Sequence, residues 1–320
     1  MRFLIIQTAF IGDVILATSL IEKLQKFYPN SKLDFLMRKG NENLLENHPY
    51  VKEIIIWDKN KNKYRNLFKI LEKIRKKKYH YLINCQRFTS SGFLTTFSQS
   101  RFKIGFDKNP FSRFFTDVFK HKIGNKKHEI ERNHELISFF TDKKASKPKL
   151  YPTKNQFEKI KIYQKKNYIC IFPTSVWFTK QMPKENFLKI IKHFKDFNIF
   201  LIGSKNDFKY CEMVKNESNN ENVKNLSGKL QILETAALMK EAKMNYVNDS
   251  APLHLASAMN ANVTAFFCST VPDFGFTPLS DNSKILQTEE NLKCRPCGLH
   301  GYKKCKKKHF KCGYLINIKF

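Results

Sequence analysis

Between Lys243 and Thr270 the chain reads KMNYVNDSAPLHLASAMNANVTAFFCST, and few folds accommodate such a run. Met244 to Val247 is a short apolar strand, Asn248, Asp249 and Ser250 are cap residues, and Pro252 sits where the first turn of a helix tolerates it. Leu253, Ala256, Ala258 and Met259 give that helix an apolar side. A turn follows at Asn260 to Asn262, and Val263 to Cys268 is a second apolar strand. A capped helix N-terminus directly after a strand turns free N–H groups and the positive end of the helix dipole towards any bound anion, a phosphate for example. An ordinary capped helix in an α/β sheet carries the same residues, so both readings stand on this stretch alone.

The same alternation runs through the chain. Arg2 to Gln7 is apolar almost throughout, as suits a strand buried on both faces of a parallel sheet. Thr8 to Asp13 is a loop, and Val14 to Phe27 places Ile15, Leu16, Leu20, Leu24 and Phe27 at helical spacing. Thr8, Gly12 and Asp13 thus fall beyond the carboxyl end of the first strand, the edge at which open α/β sheets bind ligands. An Asp there also suits a helix cap. No GxGxxG follows this strand, which counts against a dinucleotide cofactor. Strands are expected at Leu33 to Leu36, Glu53 to Trp57, His80 to Asn84 and Phe102 to Phe106, with a helix over Lys63 to Lys77. Asp142 to Thr153, with two prolines and mixed charge, reads as a domain junction. A second alternating unit begins with a helix over Gln156 to Gln164 and a strand over Tyr168 to Phe172, and continues with a strand over Ile199 to Gly203 and a helix over Ile232 to Glu241.

The stretch DSAPLHLASAMNANVTAFFCST resembles the donor-site signature of the glycosyltransferase family that includes the bacterial ADP-heptose:lipopolysaccharide heptosyltransferases. Asp249, Ser250, His254 and the ending Thr270-Val271-Pro272 match it, with Ala251 where glycine is common. IIQTAFIGDVILATSL resembles the N-terminal motif of that family, whose Gly-Asp carries the proposed catalytic base. That role passes to Asp13, because a sugar hydroxyl attacks well only when a carboxylate takes its proton. A third resemblance covers Thr174 and Ser175 after the strand and Lys180 ahead of Met182-Pro183, where the family has Trp-Pro. Hydroxyls and one ammonium there would neutralise a diphosphate leaving group; read without the motif, Lys180 is one more surface lysine. Ser227 and Gly228 could approach the nucleoside, and Glu234 the ribose.

The resemblance implies a GT-B fold: α/β, with two Rossmann-like domains whose mainly parallel sheets face a central cleft. Residues 1–150 would bind the acceptor, and residues 151–320 the nucleotide sugar. It further implies inverting transfer of heptose from ADP-heptose to an inner-core sugar of lipopolysaccharide, with no cofactor needed for catalysis. A related transferase using another nucleotide sugar for surface polysaccharide is the first alternative.

The second alternative comes from charge. With 58 Lys and Arg against 28 Asp and Glu, the net charge is +30, which draws anionic surfaces of every kind. A non-catalytic nucleic-acid- or lipid-binding protein would use it. No nucleic-acid-binding motif accompanies the charge, however, and the Lys, Asn, Ile and Phe mixture is one that an AT-rich genome imposes. No apolar run has the length of a membrane span. A cytoplasmic protein, peripheral at the inner face of the membrane, is expected.

Four cysteines gather near the C-terminus, Cys294, Cys297, Cys305 and Cys312, with His300 and His309 among them. A CxxC followed by two more cysteines could form a structural zinc site, although its spacings are not those of a standard ribbon; free thiols are the other reading. Some members of the family carry a similar tail, spanning about 294–312 here.

Overall fold

The computed structural model describes residues 1–318, so the last two residues of the 151–320 range fall outside it. The chain divides into two compact units, Met1–Tyr151 and Pro152–Phe320.

The first unit runs β1 (Arg2–Ile6), α1 (Ile11–Phe27), β2 (Lys32–Arg38), β3 (Val51–Trp57), α2 (Lys63–Lys77), β4 (Tyr81–Asn84), α3 (Thr89–Thr96), β5 (Phe102–Phe106), β6 (Asp117–Phe119) and α4 (Glu129–Glu135). Its strands form one parallel sheet in the order β3-β2-β1-β4-β5-β6. Chain order reverses between β1 and β4, so the carboxyl end of β1 faces a switch point. Both faces of β1 are covered, which is why its sequence is apolar without alternation. Leu67, Ile70, Leu71 and Ile74 of α2 pack on Leu4, Leu36, Trp57 and Leu82 of the sheet. Burying four such side chains contributes on the order of 6–12 kcal/mol before the entropy of ordering them is counted. Under this layer Lys77 bridges Asp34 and Glu53, and the Tyr79 hydroxyl donates to Asp34 at 2.6 Å.

His134 lies buried on α4. One of its ring nitrogens contacts the Ile130 carbonyl at 2.7 Å, and the other accepts from the Ser146 N–H at 3.0 Å. Burial pushes its pKa down to about 4. Since the unfolded chain binds a proton near pH 6.5 and the folded one does not, stability is complete above that pH and falls as pH drops towards 4. The loss should reach about 3 kcal/mol from this group. Urea unfolding of the full chain at pH 7.5 and pH 5, repeated on His134→Gln, should show a smaller pH difference in the variant.

The second unit runs α5 (Lys154–Ile160), β7 (Tyr168–Phe172), α6 (Lys184–His193), β8 (Asn198–Leu201), α7 (Phe208–Ser218), β9 (Val223–Asn225), α8 (Ile232–Glu241), β10 (Met244–Asn248), α9 (Ala251–Met259), β11 (Val263–Phe267), β12 (Ser283–Gln287) and α10 (Lys311–Tyr314). The sheet is again parallel, in the order β12-β11-β10-β7-β8-β9, with its switch point between β7 and β10. Thr153 starts α5 with a reciprocal cap to Gln156. Phe187, Ile190 and Ile191 of α6 pack with Ile169, Ile171, Phe266, Phe310 and Cys312, so the C-terminal tail belongs to this core.

Three strands escape a periodicity reading, β6, β9 and β12, and each is the outermost strand of its sheet. The reason is burial: the first two have three residues, and β12 is mostly exposed. Among the described residues no helix is long and apolar enough to cross a membrane.

Candidate active site

In the first unit α1 begins three residues earlier than helical spacing alone suggests, at Ile11. Asp13 is therefore not the cap. That position belongs to Phe10, whose side chain makes no capping bond, and Asp13 is the third residue of the first turn. There the helix dipole favours its anionic form. Gly12 precedes it, and the loop is held from behind. Asn41 donates to the Ala9 carbonyl at 3.3 Å, and the Ala9 N–H donates to Gln7 at 3.2 Å. Lys59 donates to both the carbonyl and the hydroxyl of Thr8 at 3.0 Å, with its ammonium 4.6 Å from the centre of the Trp57 ring. Burial, with Arg38 and Lys63 nearby, lowers the Lys59 pKa to about 8. Thr8 is thus a buried anchor of the loop that presents Asp13.

In the second unit three segments distant in sequence meet beyond the carboxyl ends of β7, β10 and β11. Asn248, fully buried at the end of β10, donates to the carbonyls of Phe172 and Thr174 at 3.1 and 3.3 Å and accepts the Met182 N–H at 2.9 Å. It staples both ends of the loop that carries Thr174, Ser175 and Lys180. Lys180 Nζ then lies 2.8 Å from Asp249 Oδ2, and the same oxygen accepts from the Thr270 hydroxyl at 2.6 Å. The pair is largely screened from water, where attraction between opposite charges is stronger than at the surface.

Beside Asp249, Ser250 opens α9 as its N-cap, but its hydroxyl donates to the Asn248 carbonyl at 3.3 Å and makes no capping bond. Ser250, Ala251 and Pro252 line a pocket of about 590 Å³ together with Thr174, Ser175 and Thr235. That volume suits a ligand of nucleotide size. The pocket spans the switch point, with Thr174 and Ser175 beyond β7 and Ser250 beyond β10, and Ile202 to Ser204 with Asn206 and Asp207, beyond β8, extend its lining.

Not every expected residue reaches it. Ser227 is buried, its N–H donating to Asn225 at 3.0 Å, and Gly228 adopts φ +71° against Lys205, bonded to the Gly203 carbonyl at 2.9 Å. They support the wall from behind. Glu234 caps α8 through the Gln231 N–H at 2.9 Å and pairs with Lys159 at 3.0 Å, so Thr235 and not Glu234 faces the pocket. His254 is buried on α9 with its ring 6.4 Å from that of Phe276. The wall beyond β8 was open to a sequence reading, since any residue at the carboxyl edge near a switch point is a candidate. Lys59 gave no such signal among so many lysines.

Cys294, Cys297, Cys305 and Cys312 come together around a pocket of about 220 Å³, with His309. Burial, then neighbouring Cys297, pushes the Cys312 thiol up to about 12, and burial also raises Cys297. Thiolates are what zinc requires. Yet among the described residues no group of three or more His, Cys, Asp or Glu side chains is disposed to hold a metal ion, so the geometry lends the expected zinc no support. The tail has another role in view. The Tyr302 N–H donates to Thr179 Oγ1 at 2.8 Å, and the Thr179 N–H donates back to the Tyr302 carbonyl at 3.1 Å. Arg295 donates to the carbonyls of Phe267 and Thr270 at 3.1 and 2.7 Å. The tail thereby buttresses both partners of Asp249.

Gly301 sits at φ +78°, where an added Cβ would stand 2.9 Å from Thr179 Oγ1 and 3.0 Å from Lys180 Cγ. Gly301→Ala should therefore cost about 1–3 kcal/mol, part from the left-handed backbone and part from the crowding. It should also displace Lys180, and if that lysine serves a nucleotide, as the resemblance implies, nucleotide binding should weaken with it. Thermal unfolding and nucleotide titration check the two effects separately.

Two parallel six-stranded α/β units, each with polar groups beyond the carboxyl end of its first strand, have the architecture of the GT-B fold. A family model described as glycosyltransferase family 9 (heptosyltransferase) matches residues 67–305, and the chain belongs to that family. It is 24% identical over 316 residues to lipopolysaccharide heptosyltransferase 1 of Campylobacter coli, 91% of either chain. To lipopolysaccharide heptosyltransferase 3 of Escherichia coli it is 26% identical over 293 residues, 85% of either. The solved structure of the E. coli ADP-heptose lipopolysaccharide heptosyltransferase II matches with a TM-score of 0.80 at 21% identity, covering 94% of this chain and 92% of that one. At that identity the structural likeness speaks for the fold.

Proposed function

We propose that this enzyme transfers heptose from ADP-heptose to an inner-core sugar of lipopolysaccharide, with inversion at the anomeric carbon. The observation that carries the reading is the Lys180–Asp249 pair at 2.8 Å, set beside a pocket open to the N-terminus of α9. Ser250, Thr174 and Ser175 line the pocket, while the Lys180–Asp249 pair adjoins it through Ser250; an ammonium near a helix N-terminus is what a departing nucleoside diphosphate needs.

In the proposed reaction Asp13 takes the proton of the acceptor hydroxyl as its oxygen bonds to the anomeric carbon. The bond from that carbon to the diphosphate breaks in the same displacement, and the electron pair leaves with the diphosphate. Lys180 turns from Asp249 to the phosphate oxygens, Thr174 and Ser175 donate hydroxyl hydrogen bonds, and the N–H groups behind Ser250 meet the growing charge. Asp249 keeps the Thr270 hydroxyl and is free to accept from a sugar hydroxyl, with His254 behind it. Thr8, Gly12 and Asp13 form the acceptor side, so the first unit would bind acceptor and the second donor. An acceptor built on lipid places the enzyme at the inner surface of the cytoplasmic membrane.

The test is transfer by the purified protein from ADP-heptose, with UDP- and GDP-sugars in parallel, onto heptose-deficient lipopolysaccharide, read by product mass. A heptose-sized increment from the ADP donor alone supports the reading. Transfer from another nucleotide sugar replaces the substrate and keeps the mechanism. A folded protein that neither transfers nor binds nucleotide ends it.

A further inference from the structure

We propose that the outer face of α2, together with the start and end of α3, is a docking surface for a bilayer rich in anionic lipid. It deepens the transferase reading, which supplies the reason a bilayer would be met. Tyr64 (70% exposed) and Phe68 (60%) project from the first two turns of α2, whereas the apolar residues that hold this helix to the sheet, Leu67, Ile70, Leu71 and Ile74, occupy its other side. The exposed rings therefore contribute nothing to that core. Phe68 meets Phe93 edge-on at 5.6 Å, and Phe93 lies 4.9 Å from Phe97, so the aromatic surface is continuous from α2 to α3. Phe88, 54% exposed, stands at the start of α3. The starts of α2 and α3 follow the carboxyl ends of β3 and β4, which is the sheet edge that carries Asp13.

Charge decides the occupant. Residues 59–97 contain eleven Lys and Arg against a single Glu and no Asp. That one acid, Glu72, is paired with Lys76, and Lys73 and Lys77 are taken up by Glu53. Lys61, Lys63, Arg65, Lys69 and Arg87 have no carboxylate partner among the described residues. Two of them stand close to the rings, Lys63 at 5.6 Å from the centre of Tyr64 and Arg87 at 5.6 Å from that of Phe88. Aromatic rings settle at the headgroup level of a bilayer, while lysine and arginine reach the lipid phosphates around them. A second copy of the chain would bring positive charge against positive charge, which disfavours self-association through this face.

The experiment is flotation of the full chain with vesicles of phosphatidylcholine alone and of phosphatidylcholine containing about one third phosphatidylglycerol. Two surface variants are compared with the parent, Arg65→Glu/Lys69→Glu and Tyr64→Ser/Phe68→Ser, each first shown to keep its thermal midpoint. Binding to the anionic vesicles only is expected. The charge variant should lower the bound fraction about tenfold or more, and the aromatic variant should abolish the part that survives high salt. Both variants should keep turnover on a lipid-free acceptor and lose it on an acceptor embedded in vesicles. Undiminished vesicle binding in both variants overturns the proposal. So does binding of single-stranded DNA in place of vesicles, or a dimer that Tyr64→Ser/Phe68→Ser dissolves. Vesicle binding without transfer from any nucleotide sugar would leave the surface standing and fail the transferase reading instead.

Discussion

Asp13→Asn is expected to lower kcat by about 10²- to 10⁴-fold, the range that a well-placed general base contributes. The carboxamide has nearly the shape of the carboxylate and cannot accept the proton. Asp13 sits in the first turn of α1, where the positive end of the helix dipole favours an anion. Loss of the charge–dipole interaction should cost about 0.3–1 kcal/mol of stability, and nucleotide binding by the second unit should be untouched. Steady-state transfer, thermal unfolding and nucleotide titration on the same preparation separate these effects. A variant that retained turnover would remove Asp13 from the chemistry.

Lys180→Met should act differently, because Lys180 is tied to the fold as well as to the proposed leaving group. Loss of the ammonium is expected to reduce kcat by about 10²- to 10³-fold, as removal of one preorganised charge from a transition state does. It also leaves the buried Asp249 carboxylate with the Thr270 hydroxyl but without its cation, at a cost of about 1–3 kcal/mol. Adding Asp249→Asn to Lys180→Met should restore the thermal midpoint, since no charge is then buried unpaired, while turnover stays low. Recovery of both together would make Lys180 a structural lysine.

The central strands and long helices are legible because burial writes its period into local sequence. Helix α2 ends where its apolar spacing ends, and β5 and β7 coincide with their apolar runs. Strands β6 and β9 are illegible because three residues are too few to show a period, and β12 because it is mostly exposed; β3, equally outermost, carries the apolar run Ile54 to Trp57 and is legible. The start of α1 was also beyond reach. A phenylalanine that caps nothing precedes it, so no cap residue marks the boundary.

Sequence by itself determined the alternation of strand and helix, the two parallel units, and the polar segments that follow β1, β7 and β10. These depend on a few consecutive residues and on the rule that parallel strands need crossover helices. Only the tertiary structure decided which polar residues meet. Because β10 lies between β7 and β11, their carboxyl ends stand side by side, and Lys180, Asp249 and Thr270 converge from three segments far apart in the chain. The grip of Lys59 on Thr8 and the seating of the tail against Thr179 have the same origin. A hydrogen bond between such residues is fixed by strand order and packing, and no local periodicity records either.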